Sequence, residues 1–511
     1  MSPGNATREA IAASARRATE TGRSRWLVHR RVHEGDAAPA SEAPARALAL
    51  WRAAGGRDRF YWEHVESGHV FCAVGNVDET ESSGPSRFAD VRRWLEERCA
   101  RLDFVGAESP WPAPLALGGF AFDDDGPTTE PWKGFPAARF VMPEQLFERR
   151  GDAILELQLV RVEPGASVAQ LESALAERAT ASADVDDGDP GRESASGVST
   201  AAECEAARAS SWPPGPEYRV QSDRAHDVFR AQVRKATEEI ATGGLEKVVL
   251  ARSLRVEHDG AVDVADFLAR LRAIYPSCTL VAMGRGSKVF LAATPETLVR
   301  VKGRRVATAA LAGSAPRGRT PEEDAEIGRA LLASAKDRAE HAHVVHAIRS
   351  VLDARCDRLE MADAPRLRPL FGIQHLETPF VGRLAQDGAA TGVLELVEAL
   401  HPTPAVGGTP AAAARRFLAR VEGLDRGWYA APIGWLDAEG GGDFRVALRS
   451  ALIDGVAGAG EEPVAGSPPP EASSRALLFA GVGLVAGSDP ERELEETRIK
   501  LRALLAPLTE I

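Results

Sequence analysis

The sequence predicts an α+β fold with large antiparallel sheets. Segments that alternate like strands outnumber segments with helical periodicity, and the two kinds follow one another irregularly. A parallel, doubly wound sheet would instead show a regular strand–helix–strand order. The chain has 511 residues, of which 44% are hydrophobic and 27% charged, so it can bury a sizeable core. Length alone would allow two or three domains of about 150 residues each.

Three stretches of small, polar, acidic, proline or glycine residues are predicted to be linkers or surface insertions. They carry too little apolar side chain to offset the entropy lost on ordering. They are Gly35–Arg46, Ala181–Thr200 and Gly455–Ser474. The acidic second stretch, residues 181–200, divides the chain most clearly. It lies within a strand-rich N-terminal portion, residues 1–215, which is followed by residues 216–511, where the candidate functional side chains collect.

Periodicity and end signals predict the individual elements. The N-terminal portion contains four strand patterns, HVFCAVGN, LALGGFAFDDDG, RFVMPEQLFERR and AILELQLVRV, and one helix pattern, SRFADVRRWLEERCARL. The second region predicts a strand over Glu246–Arg252, further strands at TLVAMG, KVFLAATPETLVRV and RRVATAALAG, and helices over Ala225–Thr242, Pro321–Asp353 and Pro490 to about Leu505. Ser488 or Asp489 can cap the last helix, and Glu491 could complete a capping box with Ser488.

Charge and cysteine content exclude several classes of protein. The formal net charge of −12 disfavours binding to nucleic acid or to anionic lipid. The five cysteines are widely spaced and form no CxxC pair, which argues against a disulfide framework or a cysteine-ligated zinc site. The chain has neither the apolar core of a signal peptide nor 18 uninterrupted apolar residues. We therefore expect a cytoplasmic protein without a membrane partner.

Lys247 is the first candidate catalytic residue. Strand alternation in EKVVLAR places Lys247 on the same face as Val249 and Ala251. If that face is inward, burial favours the uncharged amine, which can act as a base. The alternative is an edge-strand lysine whose charged end reaches water. The strand pattern alone leaves both interpretations open.

Glu296 is the second candidate. In ATPETL, Pro295 ends one strand and Glu296 stands at the start of the next. A carboxyl in a turn is usually solvated, but this one precedes Leu311–Gly318, a run of small residues whose backbone N–H groups could approach an anion closely. A glutamate with a raised pKa beside such a pocket would be a proton donor.

Two helices carry candidate metal ligands. His341, His343 and His346 resemble a zinc site, but residues i and i+2 of a helix point in different directions, so the three cannot hold one ion. Glu340 shares a face with His343 and could meet carboxylates from elsewhere to hold Mg²⁺. In the last helix, Glu493, Glu496 and Lys500 fall at i, i+3 and i+7. They form either a solvated face or the wall of a site for Mg²⁺ and an anion.

The motifs, in this order, resemble the chorismate-utilising enzymes, which include anthranilate, aminodeoxychorismate, isochorismate and salicylate synthases. The matching pieces are EKVVLAR, ATPETL, LAGSAPRG, KDRAEHAHVV, HPTPAVGGTP, WYAAPIGW, FRVALR and AGVGLVAGSDPERELEETRIKL, with weaker matches upstream at GGFAFD and RFVMP. The resemblance implies one large chorismate-binding domain in place of two or three. It also implies two stacked antiparallel sheets flanked by helices.

The resemblance also implies roles for individual residues. It makes Lys247 the base and Glu296 the acid. The other implied site residues are Glu340, Glu496 and Glu493 as ligands of a Mg²⁺ cofactor, Glu493 directly or through water, and Gly313, Tyr429, Arg449, Gly481 and Lys500 as substrate contacts. The implied reaction is attack of water on C2 of chorismate with loss of the C4 hydroxyl, which gives isochorismate.

Within the family, two residues favour isochorismate as the final product. Lys247 argues against anthranilate synthase, and Ala405 stands where amine-transferring and salicylate-forming members tend to carry threonine. Aminodeoxychorismate and salicylate synthases remain alternatives, and a histidine-ligated metallohydrolase is the alternative outside the family. The long N-terminal portion favours the menaquinone pathway over a siderophore pathway. We expect no obligate amidotransferase subunit, and the oligomeric state stays open.

Overall fold

The computed structural model describes residues 3–33, 42–109, 111–183, 218–386, 391–456 and 473–509. Most of each predicted linker, and the boundary near residue 215, lies outside these ranges. The helices of the described residues are α1 Pro3–Thr21, α2 Ala43–Ala53, α3 Arg87–Cys99, α4 Val168–Ala183, α5 His226–Ala241, α6 Val264–Ile274, α7 Pro321–Ala333, α8 Ala335–Asp353, α9 Val393–Leu400, α10 Ala411–Val421 and α11 Pro490–Thr509.

The strands of the described residues range from 2 to 12 residues in length. They are β1 Arg25–His33, β2 Arg59–His64, β3 His69–Val74, β4 Asp78–Ser82, β5 Leu102–Gly106, β6 Ala116–Phe120, β7 Ala138–Met142, β8 Gln145–Arg150, β9 Ala153–Val162, β10 Tyr218–Ser222, β11 Lys247–His258 and β12 Thr279–Arg285. They continue with β13 Lys288–Thr294, β14 Thr297–Lys302, β15 Arg305–Pro316, β16 Cys356–Met361, β17 Arg366–Pro369, β18 Ile373–Leu384, β19 Gly408–Thr409, β20 Pro432–Leu436, β21 Gly442–Val446, β22 Ser450–Asp454 and β23 Ser474–Leu484.

These strands form two sheets. The large sheet has 13 strands in the order β10-β11-β23-β22-β13-β12-β2-β3-β8-β9-β1-β5, with β19 beside β11. The small sheet has 10 strands in the order β16-β18-β15-β14-β21-β20-β6-β7-β4, with β17 beside β18. Neighbouring strands are antiparallel apart from the parallel pair β1 and β5. Each sheet contains strands from both sides of the acidic stretch, since β2 pairs with β12 and β6 with β20.

Aromatic side chains fill the space between the sheets. Phe71 on the large sheet meets Trp435 on the small sheet edge to face, with ring centroids 6.4 Å apart. Phe290 likewise meets Trp428 at 6.2 Å. The opposite face of the large sheet is covered by α2, α6 and α11, whose apolar residues join one buried cluster with that sheet. This arrangement confirms the predicted α+β fold of two stacked antiparallel sheets with helices outside.

Two predictions about helix ends are wrong. The predicted helix Pro321–Asp353 is two helices, because Ser334 adopts an extended backbone and its hydroxyl accepts a hydrogen bond from the Asp337 N–H at 3.2 Å. The capping box of the last helix does not form. Asp489 caps α11 instead, accepting from the N–H groups two and three residues ahead, while Ser488 Oγ accepts from Val485 N at 3.2 Å. No helix in the described part of the chain is long and apolar enough to cross a membrane.

Candidate active site

A cavity of ≈ 430 Å³, here called the main cavity, opens between β11, β15, β23, α8 and α11. Eight of the ten predicted site residues line it: Glu296, Gly313, Glu340, Tyr429, Arg449, Gly481, Glu496 and Lys500. Ala405 also lies in its wall. Lys247 and Glu493 are not among the lining residues. The fold therefore brings most of the residues predicted from the sequence to one cavity. Their individual roles stay predictions.

The backbone of Glu296 is fixed on both sides of the side chain. Its N–H donates to Thr294 Oγ1 at 3.1 Å, and its carbonyl accepts from Val446 N at 3.1 Å. The residue is 5% exposed. Burial raises the pKa of its carboxyl to about 8, although the charges of Lys247 and Lys500 act in the opposite direction. The carboxyl of Glu296 is therefore uncharged near pH 7, and it carries a proton that it could donate.

Lys247 begins β11 and is completely buried, at 0% exposure. The interpretation of an edge-strand lysine that reaches water is therefore wrong, because β11 is flanked by β23 and β19 at this point. Lys247 Nζ lies 2.9 Å from Glu340 Oε1, although the two groups are not aligned as in a hydrogen bond. Lys247 therefore contacts Glu340, which lines the main cavity, although it does not line the cavity itself.

Each of the three predicted metal ligands is paired with a lysine. The pairs are Glu340 with Lys247 at 2.9 Å, Glu493 with Lys336 at 3.1 Å and Glu496 with Lys500 at 2.8 Å. Burial raises the pKa of Glu493, Lys336 opposes that rise and the charge of Glu496 adds to it. The negative charge of Glu496 therefore favours the protonated form of Glu493.

The carboxylates of Glu340 and Glu496 fit a magnesium ion, although the described residues alone do not complete its coordination. Among the described residues, no group of three or more His, Cys, Asp or Glu side chains lies close enough to hold a metal. Glu340 and Glu496 nevertheless face the same cavity, and Mg²⁺ is often held by one or two carboxylates together with water and substrate. Gly483 leaves room for this, because a Cβ there would collide with Glu340 Oε1.

The three helix histidines do not converge. His341 Nε2 lies 2.8 Å from Thr378 Oγ1 and its Nδ1 3.2 Å from the Ala312 carbonyl, while His343 approaches Glu246 at 3.4 Å. His346 is exposed on the outer side of α8. His341 and His343 have different partners and His346 is exposed, as the helical spacing predicted, so the described residues give no support to a histidine-ligated zinc site.

The predicted substrate contacts lie together in the wall of the main cavity. Lys500 Nζ donates to the Gly481 carbonyl at 2.9 Å, and a Cβ on Gly481 would come within 2.8 Å of the Tyr429 hydroxyl. Tyr429 is held by stacking on Phe479, with centroids 5.2 Å apart. Arg449 has a backbone φ of 46°, in the left-handed region that non-glycine residues rarely adopt. This conformation turns its side chain into the cavity wall.

The sequence analysis missed His375, which lines the main cavity from β18. Its Nδ1 lies 2.9 Å from Ser314 Oγ. Burial, assisted by the charges of Arg449 and Lys500, lowers the pKa of His375 well below its ordinary value of 6.5. The ring is therefore uncharged. A single histidine inside a strand has no spacing signal, and its neighbours here are distant in the chain.

Comparison with known proteins gives the family. Residues 38–509 match the model of the family described as chorismate binding enzyme. The chain belongs to the chorismate binding enzyme family. This confirms the resemblance drawn from the motifs and, with it, the prediction of an enzyme.

Relatives of this chorismate binding enzyme cover most of its length. It is 39% identical to the salicylate biosynthesis isochorismate synthase of Pseudomonas aeruginosa, over 88% of this chain and 85% of the relative. It is 31% identical to isochorismate synthase MenF of Bacillus subtilis, over 88% of each chain. The solved structure of the menaquinone-specific isochorismate synthase MenF of Escherichia coli shares the fold, with a TM-score of 0.66 and 24% identity over 98% of this chain and 100% of that one.

Proposed function

We propose that this chorismate binding enzyme is an isochorismate synthase. Relatives of that name at 31–39% identity support the activity. The structural observation that carries the proposal is a buried glutamate, Glu296, kept uncharged in the wall of a cavity that also presents Arg449 and Lys500. A hydroxyl group leaves as water when it gains a proton, and a proton donor such as this glutamate can supply it.

In this proposal, Lys247 accepts a proton from the water that attacks C2 of the ring, and Glu296 donates a proton to the departing C4 hydroxyl. Arg449 and Lys500 bind the carboxylates of the dianionic substrate. Glu340 and Glu496 would hold Mg²⁺, with Glu493 in support, and the ion would supply positive charge that offsets the substrate's negative charge. Gly481 and Gly313 let the backbone approach the ligand closely.

The place of the reaction in metabolism belongs to the same proposal. We propose the entry step to menaquinone, for which the MenF relatives give support. Entry to salicylate formation by a separate lyase is the second candidate, because the 39% identical relative is a salicylate biosynthesis enzyme. Both candidates require the same product, isochorismate. We expect the enzyme to act in the cytoplasm and without an amidotransferase subunit.

The test is incubation of the purified protein with chorismate and Mg²⁺, with and without ammonium, followed by chromatographic identification of the products. We expect isochorismate in both reactions and loss of activity on addition of a chelator. An aminated product would indicate aminodeoxychorismate synthase, and salicylate without a second enzyme would indicate salicylate synthase. Either result would refute the proposed function.

A further inference from the structure

A second cavity of ≈ 160 Å³, here called the back cavity, lies behind Glu296. Pro295, Glu296 and Leu311 line both cavities, so the proposed acid stands in the partition between them. A space of this size has room for several water molecules, each of which occupies about 30 Å³ in the liquid. Glu296 is therefore approached from two sides.

Polar side chains form a row across the large sheet that leads to this partition. In the strand registers, His64 of β2 lies opposite Thr279 of β12, and Thr279 lies opposite Thr294 of β13. Directly paired residues of antiparallel strands point to the same face, about 5 Å apart. All three line the back cavity, and Thr294 Oγ1 accepts the hydrogen bond from the Glu296 N–H.

Several polar atoms along the back cavity are buried without a hydrogen-bond partner. They are Thr279 Oγ1, His64 Nδ1 and Arg445 Nε. Buried polar atoms of this kind are normally satisfied by protein or by ordered water. Glu66, whose side chain is 50% exposed, also lines the cavity. The lining of the back cavity therefore includes both a half-exposed side chain and the proposed acid.

The imidazole of His64 is uncharged near pH 7 and can still take part in proton transfer. Burial, the neighbouring Arg445 and, more weakly, Arg300 and His69 lower its pKa to about 4, against the opposing effect of Asp443. The uncharged imidazole has one nitrogen that donates and one that accepts. It can therefore take part in a chain of hydrogen bonds near pH 7.

The proposed reaction leaves a proton deficit on Glu296. In each turnover the amine of Lys247 gains a proton from the attacking water, and Glu296 loses one to the departing hydroxyl. Because substrate and product have the same formula, the amine must then release one proton to solvent and Glu296 must take one up. While product fills the main cavity, that side of Glu296 is covered.

We propose that the back cavity is the proton route between solvent and Glu296, with Thr279 and His64 as positioning residues that order its water. The inference rests on the proposed function, since only an acid that gives up a proton in every turnover needs such a route. It adds to that function a second polar path, separate from the one that chorismate uses.

The test compares Thr279→Val and His64→Leu with wild type in the presence of chorismate and Mg²⁺. Thr279→Val replaces only the hydroxyl, by a methyl group. Ser222→Ala is the control, because the Ser222 hydroxyl is also buried without a partner but lines neither cavity. Rapid-quench experiments give the first-turnover rate of pre-equilibrated enzyme, and steady-state assays give kcat. Both are measured in H₂O and D₂O, with and without added imidazole.

We expect the first turnover to stay within twofold of wild type, while kcat of both variants falls about tenfold, as when one proton transfer is slowed. The fall should be larger in D₂O and should be partly reversed by imidazole. A parallel loss of both rates, or no loss of either, would overturn the inference alone. A wild-type enzyme that forms no isochorismate would overturn the proposed function and the inference with it.

Discussion

Replacing Glu296 by glutamine should abolish turnover and yet stabilise the protein at alkaline pH. Burial raises the pKa of this carboxyl from 4.5 to about 8, so the native state holds the proton more tightly than the unfolded chain does. The stability that the neutral carboxyl contributes is complete below pH 4.5 and is lost as the pH rises through 8. At about 1.4 kcal/mol per pH unit the loss approaches roughly 5 kcal/mol. Glutamine has no proton to lose and escapes this penalty.

The assay is thermal or denaturant unfolding of wild type and Glu296→Gln between pH 5 and pH 9, together with turnover at each pH. We expect the variant's advantage in stability to grow between pH 5 and about pH 8 and then to level off. Wild-type turnover should decline above pH 8 as the acid ionises, and below pH 8 turnover of the variant should be lower than that of wild type by about 10²–10⁴.

Glu148 offers a control of opposite sign. It is also completely buried, but Arg150 and His69 outweigh the effect of burial and lower its pKa. Its contribution to stability is present above pH 4.5 and is lost in acid, so Glu148→Gln should destabilise the protein at neutral pH. If Glu296→Gln followed the same trend as Glu148→Gln, or gained no stability with rising pH, the assignment of Glu296 as a neutral acid would be refuted.

Three further substitutions test other parts of the site and its support. Lys247→Met should lower turnover by about 10²–10⁴ while calorimetry still detects chorismate binding; near-normal turnover would contradict its role as base. Gly483→Ala places a methyl group against the Glu340 carboxylate, so the Mg²⁺ concentration for half-maximal activity should rise about 10–100-fold, and an unchanged requirement would argue against Glu340 as a ligand. Glu422→Ala leaves the Arg426 guanidinium buried and unpaired, and the free energy of unfolding should fall by about 3–5 kcal/mol. A smaller loss would show that water reaches that guanidinium.

Local patterns predicted much of the site because they fix the direction of side chains along one element. The spacing in the last helix placed Glu496 and Lys500 on one face, where they form the 2.8 Å pair. Alternation in β11 placed Lys247 and Val249 on one face, and Val249 lines the main cavity. The ordered motifs then indicated a family whose fold brings these elements together.

One error is local, and the others arose where contacts between distant segments decide the outcome. Periodicity continued through Ser334, and only the Ser334–Asp337 spacing, which matches an N-cap, could have signalled the break between α7 and α8. Lys247 begins strand β11, whereas its partner Glu340 lies on helix α8, distant in the chain, so no local pattern predicts the pair. The row of His64 and Thr279 depends on the pairing of β2 with β12, whose register comes from the folded sheet.

The charges of the site explain why a metal suits the proposed substrate. Lys336 and Lys500 pair with Glu493 and Glu496, and Glu296 is uncharged near pH 7. If Lys247 is the uncharged base of the proposed reaction, Glu340 beside it carries an unmatched negative charge. Among the positively charged members of the ten predicted site residues, Arg449 has no oppositely charged partner in the described residues; it contacts Cys278 Sγ and the Tyr275 ring. One such positive charge cannot balance the two carboxylates of chorismate in a buried cavity, where uncompensated charge is costly. In the proposed function, Mg²⁺ would supply the remaining positive charge.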